Sequence, residues 1–138
     1  MSAKVFIDSG AFIAFLDRSD NSHTRAAELF RQPTVRWSTS GLVIAETYSW
    51  LLFRLGEDAA RTLRALLDTL RGLEILEQDA RHRAAVWAKL DRLRGSKLTY
   101  VDASSLVWIG ERKIPTVWGT DRDLAFEGAQ VLPGPPPY

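Results

Sequence analysis

Three apolar residues, Val5-Phe6-Ile7, run directly into a carboxylate at Asp8. A continuously apolar run suits a strand buried on both faces, the setting of an interior strand in a parallel sheet. The rest of the chain is consistent with that setting. Ala11 to Leu16 and His23 to Phe30 read as helices, the second closed ahead of Pro33, and Val35 to Ser38 reads as a strand. Thr39 or Ser40 is suited to cap a helix from Leu42 to Arg54, whose apolar members Leu42, Val43, Ala45, Trp50 and Phe53 favour one side and which Gly56 stops. From Glu57 to Leu70, Ala60, Leu63, Leu66, Leu67 and Leu70 repeat at helical spacing, with acids in the first turn where the macrodipole favours them. Leu73 to Leu76 alternates as a strand, and Asp79 to Leu93 returns to helical spacing through Ala80, Ala84, Trp87 and Leu90. A helix from Asp102 to Glu111, a strand from Thr116 to Trp118, a short helix from Arg122 to Phe126 and a strand from Gln130 to Leu132 complete the pattern. The tail from Pro133 to Tyr138 is expected to continue neither structure. Strands alternating with helices, with no tight hairpins between them, predict an α/β fold: a mostly parallel central sheet with helices on both faces.

Length and composition narrow the field further. The 138 residues suffice for one domain with a real core and are too few for two, so residues 1–138 are read as a single domain with its core at about 4–132. No stretch approaches the roughly 20 apolar residues of a membrane span, and the N-terminal apolar run ends in Asp8 instead of a cleavage site. The expected location is the cytoplasm, with no membrane partner. There are no cysteines, and His23 and His82 are the only imidazoles, so a metal would have to sit on carboxylates. Eighteen Lys and Arg against 17 Asp and Glu leave a net charge of +1, which neither announces nor excludes a nucleic-acid binder.

The positions of four acids carry the functional reading. Asp8 follows the first strand, Asp121 follows the strand Thr116 to Trp118, Glu46 lies about one turn inside the helix after the second strand, and Asp102 opens another helix. In a doubly wound sheet such positions face one crevice beyond the carboxyl ends of the strands. Each acid alone has an ordinary reading, as turn residue, N-cap or solvated side chain. Together, with no basic partner nearby in sequence, they would repel one another unless a cation intervened. All-oxygen ligation favours Mg²⁺ or Mn²⁺, which can activate water for attack on phosphorus. Asp123 is an alternative or helper to Asp121, which is preferred as nearer the strand end. Asp17, Asp20, Glu57, Asp58, Asp68, Glu77, Asp79, Asp91 and Glu127 keep the ordinary reading.

These segments resemble the PIN-domain family, and within it the VapC-type toxins. Val5-Phe6-Ile7-Asp8-Ser9-Gly10-Ala11-Phe12 is similar to the first motif, a strand ending in Asp followed by Ser or Thr. Ile44-Ala45-Glu46 resembles the helical Glu, Leu98-Thr99-Tyr100-Val101-Asp102-Ala103-Ser104 the third acid, and Gly119-Thr120-Asp121-Arg122-Asp123 the last acidic loop, although the aromatic expected there comes late, at Phe126. The likeness runs from about Lys4 to Leu132. It implies a three-layer fold and a Mg²⁺- or Mn²⁺-dependent endoribonuclease, commonly a homodimer, that acts on RNA and is neutralised by a small antitoxin. Asp8, Glu46, Asp102 and Asp121 would be the catalytic metal-site acids, with Ser9 and Thr120 as supports. A PIN nuclease of cellular RNA processing without an antitoxin, or a non-catalytic interaction module, would share the fold. Trp50, Trp87 and Trp108 sit at helical core spacing and Trp37 and Trp118 in strands, so all five are expected in the core; Arg18, Arg112, Lys113 and Arg122, near loops, are candidates for phosphate contacts.

Overall fold

The computed structural model describes residues 3–136; Pro137 and Tyr138 of the expected tail lie outside the described residues. Five strands, β1 (Ala3–Ile7), β2 (Val35–Ser40), β3 (Glu74–Leu76), β4 (Thr116–Gly119) and β5 (Gln130–Pro133), form one sheet in the order β3-β2-β1-β4-β5. Every neighbouring pair is parallel. Six helices, α1 (Ser9–Leu16), α2 (His23–Phe30), α3 (Gly41–Leu55), α4 (Glu57–Thr69), α5 (Ala80–Arg92) and α6 (Tyr100–Glu111), and a 3-10 turn (Arg122–Ala125) fill the connections. The expected α/β architecture is present, and its sheet is wholly parallel.

The strand order explains where a ligand can sit. β1, β2 and β3 step in one direction, and the connection from β3 then returns across the sheet to place β4 on the other side of β1. Parallel crossovers are right-handed, so reversing the direction of travel moves the connecting helices to the opposite face. The contacts agree: α1 packs with α2, α3 and α4, while α5 packs with α6. Chains leaving the carboxyl ends of β1 and β4 diverge to opposite faces and open a crevice between them.

The core grows from the same pattern. Val5, Phe6 and Ile7 are all buried, and the register sets Phe6 beside Val117 and Ile7 beside Trp118 on β4. Trp118 meets Phe30 and Trp37 edge to face at ring separations of 5.1 and 5.3 Å, geometries that add to the area they bury. On α4 the read periodicity holds, with Ala60, Leu63 and Leu66 buried, Leu67 half-buried, and Leu70 buried at the cap that follows. Gly56 serves both as the end of α3 and the start of α4, at φ +101°, a conformation that favours glycine.

Four expectations need correction. The inner residues of α3 are Val43, Thr47 and Leu51, whereas Phe53 is 84% exposed. On α5 the buried face is His82 and Val86, and Trp87 is 59% exposed, with its ring edge-on to Tyr100. The face read through Ala80, Ala84, Trp87 and Leu90 is out of phase, because the alanines' small side chains carry little packing information and the inward residue of the first turn is the polar His82. Trp37, Trp50 and Trp108 are only half-buried. Pro133 ends β5 instead of leaving the sheet; β5 is an edge strand, where a missing N–H is tolerated. Among the described residues no helix is long and apolar enough to cross a membrane.

Candidate active site

Asp8 stands at the N-cap position of α1, where an aspartate ordinarily accepts a hydrogen bond from the first turn. Here its side chain makes no capping bond. The residue is 4% exposed, and its Oδ1 atom is buried without a hydrogen-bond partner. The backbone is tied down instead: the Asp8 N–H donates to the Trp118 carbonyl at 2.8 Å, and the Asp8 carbonyl accepts from Ala11. Two glycines let the neighbouring loops approach closely here. A Cβ on Gly119 would lie 3.3 Å from that of Asp8, and one on Gly10 would collide with the Thr120 hydroxyl. The loops after β1 and β4 therefore close on each other over Asp8.

Burial pushes the Asp8 carboxyl up to about 7, the fields of Glu46 and Asp102 push the same way, and the nearby Ser9 and Gly10 amides oppose them. Glu46 is half-buried on α3, which Ser40 starts by accepting from the Val43 N–H at 3.1 Å. The Ser9 hydroxyl donates to Glu46 Oε1 at 2.7 Å, linking α1 to α3. Ser9 thus has the supporting position expected of it.

Asp102 is not the opening residue of its helix. α6 begins at Tyr100 with Thr99 as N-cap, and Asp102 closes a capping box: its N–H donates to Thr99 Oγ1 at 3.0 Å, and its Oδ2 accepts from the Thr99 N–H at 3.2 Å. One carboxylate oxygen is committed to the cap, which fixes the direction of the other. Burial raises its carboxyl above the ordinary value; the Thr99 bonds lower it, and Asp121 and Asp123 raise it. The sequence carries the signal for this role of Thr99, since a Thr three residues ahead of an acid is a capping-box pattern.

Asp121 is exposed and caps the 3-10 turn, with its Oδ1 accepting from the Asp123 N–H at 2.9 Å; Asp123 is half-buried. Both lie within reach of the Asp102 field, with Asp121 the larger influence. Just beyond them Glu127, expected to be merely solvated, pairs with Lys89 and with Arg92 of α5, tethering the loop to the second helical layer. Thr120 makes no side-chain hydrogen bond among the described residues; it packs on Gly10. Arg122 sits at this end of the molecule, whereas Arg112 and Lys113 precede β4 and lie at the other.

The structure therefore brings Asp8, Glu46 and Asp102 into one field and sets Asp121 and Asp123 beside Asp102. Among the described residues, no three acids or histidines are gathered closely enough to hold a metal ion as they stand. In donor type and charge the set fits a hard divalent cation: every candidate ligand is a carboxylate oxygen, one of them a buried acceptor with nothing to accept from.

The PIN domain family profile matches residues 5–127. Among solved structures, the fold is shared with VapC20 of Mycobacterium tuberculosis, a Sarcin-Ricin loop cleaving toxin, at TM-score 0.82 and 24% identity over 91% of this chain and 95% of that one. PAE2754 from Pyrobaculum aerophilum matches at TM-score 0.58 and 24% identity, over 94% and 84% of the two chains. FitAcB from Neisseria gonorrhoeae matches at 0.64 and 18%, over 92% and 95%. No curated protein sequence matches the chain. Its family profile and its five-stranded parallel architecture place the chain in the PIN domain family.

Proposed function

We propose that this chain is a Mg²⁺- or Mn²⁺-dependent endoribonuclease and the toxin of a toxin–antitoxin pair. The observation that carries the reading is Asp8: a buried carboxylate, unused as a cap, with an orphaned oxygen in the field of two further acids. A structural aspartate would have its acceptors satisfied, since a buried polar atom left unpaired costs about 1–3 kcal/mol. Asp8, Glu46, Asp102 and Asp121, with Asp123 assisting, would hold the cation. When bound, it supplies charge neutralisation at the phosphoryl group and makes water a stronger nucleophile.

The chain's own contribution is placement. Ser9 holds one Glu46 oxygen and leaves the other free; Thr99 does the same for Asp102; Gly10 and Gly119 let the loops close over Asp8. Hydrolysis adds water across one P–O ester bond of RNA, and the departing oxygen takes a proton. The fold shared with VapC20, a Sarcin-Ricin loop cleaving toxin, supports RNA as substrate.

The antitoxin reading is supported by the outer side of α3, where Tyr48, Phe53 and Leu55 are exposed. An amphipathic segment of a partner can lay its apolar side there. On α2 the apolar Ala26 and Leu29 face inward, so α3 carries this surface. A homodimer is part of the same proposal, and sedimentation of the purified chain reads it. Co-expression with neighbouring genes tests the antitoxin: a small co-purifying protein is expected, and its absence would favour an RNA-processing nuclease.

The direct test of activity is incubation of the purified chain with cellular RNA in Mg²⁺, in Mn²⁺ and in chelator, followed by mapping of the new ends. Discrete cuts that require metal are expected, and Glu46→Gln should slow them by about a hundredfold or more, as loss of about 3 kcal/mol of charge stabilisation implies. RNA left intact in both metals would contradict the proposal.

A further inference from the structure

At the opposite edge of the sheet, the amino ends of β1, β2 and β3 and the segment leading into β4 surround a cleft of about 350 Å³. Its charged lining is Lys4, Arg36, Arg71, Arg112 and a single acid, Glu74. Glu74 is used by Arg112, which donates to both its oxygens at 3.1 and 3.2 Å. Among the described residues, Lys4, Arg36 and Arg71 form no ion pair. Their positive charge converges on the cleft with no anion of the chain to meet it, although the whole molecule has a net charge of only +1.

We propose that this cleft is an anion site, separate from the carboxylate crevice, that takes the phosphate of a nucleotide. Two features select that chemistry. Guanidinium groups match phosphate oxygens with paired N–H donors, and a lysine adds a point charge. Three unpaired cations are more than one carboxylate needs and suit a phosphate. β1 separates this cleft from Asp8 by about 13 Å, at about 3.3 Å per residue, so one nucleotide cannot occupy both sites. The nucleotide is either free or part of an RNA strand that also reaches the crevice.

The test is binding measured in chelator, where no metal draws phosphate to the carboxylates and no RNA is cut. Two probes, AMP and a labelled eight-nucleotide single-stranded RNA, are titrated into the wild type, an Arg36→Gln/Arg71→Gln double variant and an Arg36→Lys/Arg71→Lys variant. Both arginines are exposed, so the melting temperature should hold in every variant. The Gln pair should weaken binding of at least one probe by about tenfold and lower the slope of log affinity against log salt for RNA by about one to two; the Lys pair should retain most of the binding. Tight RNA with weak AMP identifies a strand phosphate, and comparable affinities identify a free nucleotide. Equal binding of both probes by wild type and Gln pair would overturn the proposal, as would a polyglutamate peptide that binds the cleft when neither probe does. Because cleavage plays no part in the readout, loss of this site and loss of the nuclease reading are separate results.

Discussion

The two ends of the sheet treat charge in opposite ways. At the carboxyl end Asp8 is buried beside the acids Glu46 and Asp102, with one oxygen unpaired. At the amino end Lys4, Arg36, Arg71 and Arg112 are exposed, and water can solvate them. Burial makes the difference: charges in water interact weakly and are screened, whereas the same charges in a low-dielectric crevice raise one another's energy by several kcal/mol. The exposed end can bind an anion without cost to the resting fold. The buried end is under electrostatic tension that a cation or a proton relieves.

The largest way to break that comparison is a stability profile in chelator. The Asp8 carboxyl is raised from 3.8 to about 7, so between those values the unfolded chain has lost a proton that the folded chain keeps. Stability should therefore be greater near pH 5 than at pH 8, falling as pH rises towards about 7 and levelling off above it; the whole shift is worth at most roughly 4 kcal/mol at 1.36 kcal/mol per unit, of which the interval from pH 5 to 8 carries roughly 2.7 kcal/mol. The smaller upward shift of Asp102 acts in the same direction. Urea unfolding at pH 5 and pH 8 measures it, with Arg36→Gln as the exposed-end control that should leave the difference unchanged. A wild type equally stable at both values would remove the tension from the buried end.

A smaller effect tests the closure over Asp8. In Gly10→Ala the new methyl meets the Thr120 hydroxyl and comes 3.0 Å from the Thr120 backbone N. Overpacking costs about 1–3 kcal/mol, which outweighs the helix-propensity gain of at most about 1 kcal/mol. The expected result is a lower thermal midpoint, partly restored by Thr120→Ala. The smallest effect lies at the exposed end, where Arg112 and Glu74 are 42% and 56% exposed. Arg112→Gln should cost no more than about 1 kcal/mol, and less at high salt.

Much of this arrangement was legible in the chain because a few residues carry strong local signals. The unbroken apolar run before Asp8 marks a doubly buried strand, and the leucine spacing of α4 survives any error of a residue or two. Asp8 and Asp121 stand out by their place after strands, Glu46 and Asp102 by their place near helix starts. The phase of α5 was not legible, since alanines do not distinguish one face from another and a buried His82 bonded to Ser104 at 2.7 Å reads as polar. Nor was the exposure of Phe53 legible: an apolar side chain at the surface has the same letter as one in the core. The basic cleft was invisible for another reason. Lys4 and Arg36 sit near the starts of β1 and β2, and Arg71 and Arg112 in the segments that lead into β3 and β4, and only the strand order gathers them.

The most direct measurement is Asp8→Asn, read twice: the thermal midpoint in chelator at pH 8 and the RNA cleavage rate in Mg²⁺ or Mn²⁺. An amide of the same shape removes a charge from the repelling set and deletes a ligand for the cation. The variant should therefore melt at or above the wild-type temperature and cut RNA at least about a thousandfold more slowly, the rate equivalent of about 4 kcal/mol. A variant that melts lower yet cuts at nearly the wild-type rate would make Asp8 a structural residue and contradict the metal-centred nuclease.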